Sequence, residues 1–151
     1  MDGMYGQPHD RPFVRVARPL ELTTIEVAVA VVALTRELDA PTHRYSLGAH
    51  GSFELQTAFC GQTLGDTTRR GEQCIASRGN LWSADGMVVS SVLLTIESGI
   101  AVPTEIALTA TAALPPAFAA DLPAYLELAD AAVAEIAEEL RFHAHATRTA
   151  A

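Results

Sequence analysis

Histidines close to carboxylates form the first group of residues in this sequence that can do chemistry. His43 and His50 flank the segment that enters an alternating run, and Glu54 and Asp66 follow soon after. A histidine beside a carboxylate can act as a general base, because its pKa lies near neutral pH. His50 is therefore a candidate catalytic residue. The alternative interpretation is a set of solvated loop histidines.

Two adjacent arginines, Arg69 and Arg70, form the second group, in a turn-like segment at residues 66–71. Neighbouring guanidinium groups can bind a phosphate through paired hydrogen bonds. Both are candidate ligand-binding residues, with surface charges neutralised by nearby acids as the alternative. The chain contains no lysine, which excludes a lysine Schiff base.

Several function classes lack their signatures. The segment between Gly61 and Gly65 is not followed by the lysine of a phosphate-binding loop. Neither a His-Glu-x-x-His zinc motif nor a Gly-x-Ser-x-Gly nucleophile elbow is present. Cys60 and Cys74 are too few for a disulfide framework, and their spacing matches no metal site. The sequence therefore predicts no cofactor and no metal.

The charge and the hydropathy pattern limit the partners and the location. The net charge is −8, and an anionic surface repels phosphate backbones, so nucleic acid is not a predicted partner. No apolar run is long enough to span a membrane. The N-terminal residues lack the basic and apolar regions of a signal peptide. The prediction is a cytoplasmic protein.

The middle of the chain has the alternation that is typical of strands. Phe53 and Leu55 fall on one face of the first run, and Glu54 on the other. An Asp-Gly pair at Asp85 predicts a hairpin turn, because its glycine accepts a positive φ. The predicted strands are residues 51–60, 73–82, 87–97 and 104–114.

A long amphipathic helix is predicted at the C-terminus. Asp121 can cap it, and Pro123 falls in its first turn, where a missing N–H is harmless. Apolar residues recur every three or four positions from Leu122 to Leu140. The interpretation is a helix packed on a sheet, and the alternative is a helix that binds a partner or forms a dimer.

Residues 24–38 fit two structures. Thr23 and Glu26 have the spacing of a capping box, which favours a helix. The apolar run that follows covers every side, so such a helix would have to be buried all round. Ile25 also begins an alternating β-branched pattern that favours a strand. Periodicity leaves both interpretations open.

Together these elements predict one α+β domain over residues 13–142. Residues 1–12 are predicted to be a flexible tail, and residues 143–151 a frayed C-terminal end. The predicted fold class is a curved antiparallel β-sheet packed on a helix, with the long amphipathic helix at the C-terminus.

Residues 76–92 resemble the strand–turn–strand of acyl-CoA thioesterases with the hotdog fold. The shared features include Trp82 and the Asp-Gly pair at Asp85, and residues 64–67 resemble the strand entry that precedes them. The resemblance covers about residues 52–97. It implies a curved antiparallel sheet wrapped around one apolar helix, a homodimer, and an acyl chain held at the subunit interface.

The resemblance also implies a function, namely binding of acyl thioesters (acyl-CoA or acyl-carrier protein) and, if the chain is an enzyme, their hydrolysis. Glu26, on the predicted helix, would be the general base or would orient the water, and a hydroxyl or backbone N–H would hold the carbonyl. Arg69 and Arg70 would receive the carrier's phosphate, and Trp82 is a further ligand-binding candidate. The chain departs from the family at Leu94, where the family has a glutamine.

Two other function classes fit the same sequence. In the first, the protein is a non-catalytic carrier of a hydrophobic ligand or a cyclase-like protein, and the sheet grips the C-terminal helix as in helix-grip proteins. Residues 25–34 would then form a strand. In the second, it is a chaperone-like interaction protein that presents an apolar sheet face to a partner chain.

Overall fold

The computed structural model describes residues 14–56, 73–99, 103–116 and 120–150. The strands of this part are β1 (Arg15–Pro19), β2 (Thr42–Ser46), β3 (Gly51–Gln56), β4 (Gln73–Ser83), β5 (Val88–Ser98) and β6 (Glu105–Ala110). Its helices are α1 (Thr24–Leu38) and α2 (Leu122–Ala150), and a short 3-10 helix (Gly48–His50) joins β2 to β3.

The six strands form one antiparallel sheet with the order β1-β6-β5-β4-β3-β2. Strands β2 to β6 follow one another as a meander. The first strand instead pairs with the last one, with Arg15 opposite Thr109 and Pro19 opposite Glu105. This arrangement confirms the predicted α+β class with an antiparallel sheet and a long C-terminal helix.

The strands predicted from alternation are confirmed in the described part of the chain, and β3 matches the described residues of the first one. The Asp-Gly turn is confirmed too, because Ser83 N donates to Met87 O at 2.8 Å and Gly86 has a φ of 89°. Strands β1 and β2 were not predicted. Both are short. Strand β1 has no fully buried residue, and β2 is largely polar with only Tyr45 buried, so neither has a clear alternating signal.

Helix α1 settles the ambiguous segment, and the strand alternative is wrong. Glu26 N donates to Thr23 Oγ1 at 3.1 Å, and Thr23 N donates to Glu26 Oε1 at 2.9 Å. This capping box gives partners to N–H groups that a helix leaves free at its start. The run after Glu26 was expected to be buried on all sides if helical, and that expectation is also wrong, because Val29 and Val32 are 37% and 41% exposed.

Helix α2 begins after Asp121, whose Oδ1 accepts a hydrogen bond from Ala124 N at 3.4 Å. Its apolar stripe is buried from Tyr125 to Leu140 except at Leu126, and Leu122 at its start is exposed too. The helix extends to Ala150, through most of the segment predicted to be frayed. The helix continues past residue 142 in part because His143 is buried and its Nε2 lies 3.2 Å from Glu37 Oε1 of α1. The buried stripe of α2 includes Tyr125, Ala129, Val133, Ile136 and Leu140.

The sheet holds α2. Helix α2 contacts β1, β3, β4 and β6, whereas α1 makes its main contacts with α2. Arg18 of β1 and Ser46 of β2 line the same groove along α2, although these strands are opposite edges of the sheet. The sheet therefore curves around α2. The hotdog resemblance had assigned that central position to residues 24–38.

The core lies between the sheet and the helices. Side chains of α1 and α2 join it from one side, and the inward-facing strand residues complete it. Those strand residues include Phe53, Leu55, Leu81, Leu94, Ile96, Ile106 and Leu108. Within the described ranges, no helix combines the length and the apolar character that crossing a bilayer requires.

Candidate functional site

The structure places the predicted site residues on separate elements. Glu26 lies in the first turn of α1, His50 ends the 3-10 helix between β2 and β3, and Trp82 lies near the end of β4. Arg69 and Arg70 lie outside the described residues. Glu26, His50 and Trp82 thus come from three different elements of the described part of the chain, and the pairing of Gly51 with Ser83 brings the segment of His50 next to the end of β4.

Glu26 has a clear local task in this structure. Its Oε1 accepts the hydrogen bond from the backbone of Thr23, and this contact holds the start of α1. Because a charged acceptor at a helix N-terminus is also favoured by the helix dipole, the carboxylate stabilises α1 whether or not it has a further role.

The pleat of the sheet separates His43 from Glu54, although the two were considered as a possible histidine–carboxylate pair. His43 pairs with Leu55, which is buried on the side of the helices, whereas Glu54 lies one residue away and points to the other side. The ring of His43 instead contacts Tyr45 edge-on, with 4.6 Å between ring centroids. His50 is exposed in its turn.

The face of the sheet away from the helices, here called the outer face, is polar. Arg44 lies over the indole ring of Trp82, with 4.1 Å between its Cζ and the ring centroid. The guanidinium of Arg44 is also 3.7 Å from Glu54. A cation over an indole ring and beside a carboxylate is stabilised by both. Arg44 and Trp82 therefore hold each other in place at one end of the outer face.

Hydrogen bonds continue from this pair across the strands. Asn80 donates to Glu54 Oε1 at 3.2 Å, and Ser91 Oγ donates to Asn80 Oδ1 at 3.1 Å. Thr111 Oγ1 then donates to the backbone oxygen of Ser91 at 3.1 Å. The network therefore links four strands, from Arg44 on β2 to Ser91 on β5, and holds its side chains in defined positions. We call it the outer network.

A depression of about 430 Å³ lies beside this network on the outer face. We call it the outer depression. It contains one charged side chain, that of Arg78, which is exposed. Its lining is Gln56, Arg78, Gly79, Asn80, Ser91, Val92, Leu93 and Thr111.

A second space of about 470 Å³ is the groove along α2, between the two edges of the sheet. Arg18 closes one side of it with two hydrogen bonds to Asp130, at 2.7 and 2.8 Å. These hydrogen bonds raise the pKa of Arg18 and lower that of Asp130. Arg141, another lining residue, donates to Leu20 O at 3.4 Å. The arginines of this groove thus have partners within the protein.

Two tyrosines lie in the interior between the sheet and the helices. Tyr125 Oη is 2.9 Å from Ser90 Oγ, and burial raises the pKa of Tyr125. Tyr45 is only 5% exposed, and its pKa is raised by burial first and then by the charges of Glu139 and other carboxylates. Among the described residues, Tyr45 Oη has no hydrogen-bond partner.

Helix α1 carries an exposed apolar face. Ile25, Val32 and Val29 are 75%, 41% and 37% exposed, and together with Arg36 they follow the spacing 4-3-4 along one side of the helix. We call this surface the α1 seam. The buried residues of α1 lie on the opposite side and are Val27, Ala30, Val31 and Leu34.

Comparison of the chain with protein-family models, with curated proteins and with solved structures finds no match in any of the three. In the described part of the chain, no three histidine, cysteine or acidic side chains converge as metal ligands would.

Sequence reasoning missed both the outer network and the α1 seam. The signal for the network was weak, because Glu54 was the one residue of this network that alternation had placed on a polar face. The signal for the seam was stronger, since the 4-3 spacing of Ile25, Val29 and Val32 is visible in the sequence. It was hidden because the alanines and valines between these positions made the run look apolar on every side.

Proposed function

We propose that this protein is an interaction protein that self-associates through the α1 seam. The observation that carries the proposal is the exposure of Ile25, Val29 and Val32 on one side of a helix whose other side is buried in the core. Apolar side chains grouped on one exposed face indicate a contact surface, whereas single ones are ordinary.

The seam suits packing against another helix. Spacings of four and three residues keep apolar side chains on the side of a helix that faces a partner helix. Ala28 and Ala33 flank the seam, and their small side chains allow a close approach. These features are typical of helix pairs rather than of a site for a small molecule.

The charges of α1 favour a second copy of the same helix in antiparallel orientation. Glu26 lies in the first turn and Arg36 in the last turn. An antiparallel pair brings Glu26 of one copy towards Arg36 of the other at both ends, and it also opposes the two helix dipoles favourably. Val29 of one copy then faces Val32 of the other. A parallel pair would place like charges together.

Self-association is tested by changing the centre of the seam. Val29→Ser combined with Val32→Ser removes four buried valines from the dimer, which costs roughly 3 kcal/mol of association free energy, or about 100-fold in Kd. The folded monomer is expected to change by less than about 0.5 kcal/mol, because both side chains are already exposed. Sedimentation velocity over a range of protein concentrations measures the Kd.

The control is Met87→Ser, which removes an exposed apolar side chain of the β4–β5 turn, 59% exposed, outside the seam. It is expected to leave the Kd unchanged. A parent protein that stays monomeric at all concentrations would overturn the proposal, and so would a dimer that the double variant does not weaken.

A second candidate function is carriage of a hydrophobic ligand, and two observations favour it. The sheet curves around α2 in the manner expected of helix-grip proteins, and the buried hydroxyl groups of Tyr45 and Ser98 have no partner among the described residues. A ligand with a polar group could supply one. Binding and hydrolysis of acyl thioesters stay predictions from the resemblance, and the positions of Glu26 and His50 add no support to them.

Native mass spectra of the protein, recorded with and without acyl-CoA, separate these candidates. A dimer without added mass supports self-association. A lipid-sized mass that co-purifies with the protein supports the carrier, and a gain of CoA-sized mass supports acyl-thioester binding.

A further inference from the structure

We propose that the outer depression binds a small organic carboxylate, with Arg78 as the residue that recognises it. The depression lies on the outer face, away from both helices, so it stays accessible when two copies pair through α1. The inference is therefore independent of the proposed self-association. Its volume of about 430 Å³ falls within the range of small-molecule sites.

Arg78 differs from the paired arginines of the sheet. Arg15 lies 2.6 Å from Glu105, Arg18 bonds to Asp130, and Arg44 lies beside Glu54. Within the described ranges, the guanidinium of Arg78 has neither an ion-pair nor a hydrogen-bond partner. In a chain of net charge −8, acids are plentiful, so an arginine that is left without one is available to an anion from outside.

The nearest strand neighbours explain why Arg78 is not neutralised. Glu54 faces Asn80, the outer-face residue of β4 that follows Arg78. Its carboxylate is held there by Asn80 and by Arg44. Among the described residues, the outer network thus holds the carboxylate of Glu54 on Asn80 and Arg44 and not on Arg78. Arg78 is left beside neutral groups.

Those neutral groups suit a carboxylate. Gln56 lines the depression beside Arg78, and its side-chain amide can donate a hydrogen bond to a carboxylate. The hydroxyl of Thr111 already donates to Ser91 O and contributes only a neutral wall. A guanidinium presents two parallel N–H groups, which match the two oxygens of a carboxylate. A phosphate dianion is less well matched, because one arginine would face two charges, and Glu54 would repel the second.

The other wall of the depression is apolar. Leu93 lies directly opposite Arg78 in the pairing of β4 with β5, and it is partly exposed. A ligand that bonds to Arg78 can therefore lay a short apolar body against Leu93. Both residues belong to central strands that are hydrogen-bonded on both sides, so the site is held in place by the sheet and not by a loop.

The test is titration of the full-length protein with benzoate, hexanoate and inorganic phosphate, followed by the NMR signals of backbone amides and arginine side chains. Benzoate and hexanoate are expected to shift the signals of Arg78 and Leu93 and to saturate. Arg78→Gln is expected to weaken binding by about tenfold or more. Arg78→Lys is expected to weaken it as well, because a lysine keeps the charge and loses the paired N–H groups.

The matched control is Arg15→Gln, which removes a guanidinium from the same face of the sheet outside the depression. It is expected to leave the affinity unchanged. The inference is overturned if neither carboxylate saturates, if Arg78→Gln binds as tightly as the parent, or if Arg15→Gln weakens binding equally. Tighter binding of inorganic phosphate than of both carboxylates would also overturn the assignment of the ligand.

Discussion

The arginines of this protein show how one residue type takes different tasks in an acidic chain. Arg18 joins β1 to α2 through Asp130, and Arg44 joins Trp82 to Glu54 on the outer face. Each of these contacts ties together residues that are distant in the sequence. Arg78 has no such contact among the described residues, and it is the one for which we propose a ligand.

The ion pair between Arg18 and Asp130 predicts a pH-dependent contribution to stability. The hydrogen bonds from Arg18 lower the pKa of Asp130. A carboxyl group with a lower pKa in the folded state adds stability above its unfolded pKa, and this contribution is lost as the pH falls through the folded pKa. Both side chains are nearly half exposed, so the contribution is below about 1 kcal/mol.

Asp130→Asn is therefore expected to lower the free energy of unfolding by about 0.5 kcal/mol at neutral pH. The difference from the parent is expected to shrink as the pH falls below about 4, the pKa of an aspartate in the unfolded chain. Urea unfolding across this pH range measures it, with Glu127→Gln as a control on an exposed position of the same helix. A difference that did not change with pH would contradict the assignment.

At the scale of elements, α1 is a helix whose own sequence could equally have formed a strand. The capping box fixes its start, and one apolar side is buried against α2 and the core. Glu26, which was predicted to be catalytic, is half of that cap. Its effect on stability therefore has to be known before any effect on activity is interpreted.

Thr23→Ala is expected to lower the free energy of unfolding by about 1 kcal/mol, because Glu26 N loses the acceptor Oγ1. Glu26→Ala is expected to cost a similar amount, and the double variant less than the sum, since the two side chains act as one cap. Urea unfolding measures all three variants, and Thr23→Ser is the control that keeps the acceptor. Full additivity of the two changes would show that the side chains act separately.

At the scale of the whole molecule, the sheet and both helices share a single core. Tyr125 and Ile136 of α2 belong to the same buried cluster as Phe53 of the sheet and Val31 of α1. The pairing of β1 with β6 also joins the first element to the last strand. Cooperative unfolding in one step is the expected behaviour of such an arrangement.

Ile136→Ala is expected to lower the free energy of unfolding by about 2–5 kcal/mol, because the side chain is fully buried. The loss should be the same whether it is followed by fluorescence of Trp82, the one tryptophan of the chain, or by far-UV circular dichroism of the helices. Met87→Ser serves as the exposed control. Separate transitions for the two probes would show that the sheet and the helices unfold independently.

Alternation and turn chemistry predicted β3, β4, β5 and β6, because each of these strands has a buried and a less buried side. The capping box at Thr23 was also visible in the sequence. It did not decide between helix and strand for α1, because the valines and alanines that follow fit the two-residue period of a strand as well as the 3.6-residue period of a helix. The separation of His43 from Glu54 has a related reason. The pleat that buries Leu55 turns Glu54 away from His43, and sequence distance does not reveal this.

The sequence by itself determined what depends on near neighbours in the chain: the Asp-Gly turn, the cap of α1, the amphipathic C-terminal helix and the acidic charge. Only the tertiary structure decided which groups meet across long separations. The pairing of β1 with β6 is one example, and the wrapping of the sheet around α2 is another. Whether Arg78 has a partner is decided by the strands on either side of it. Such contacts depend on packing between distant segments, which no local pattern encodes.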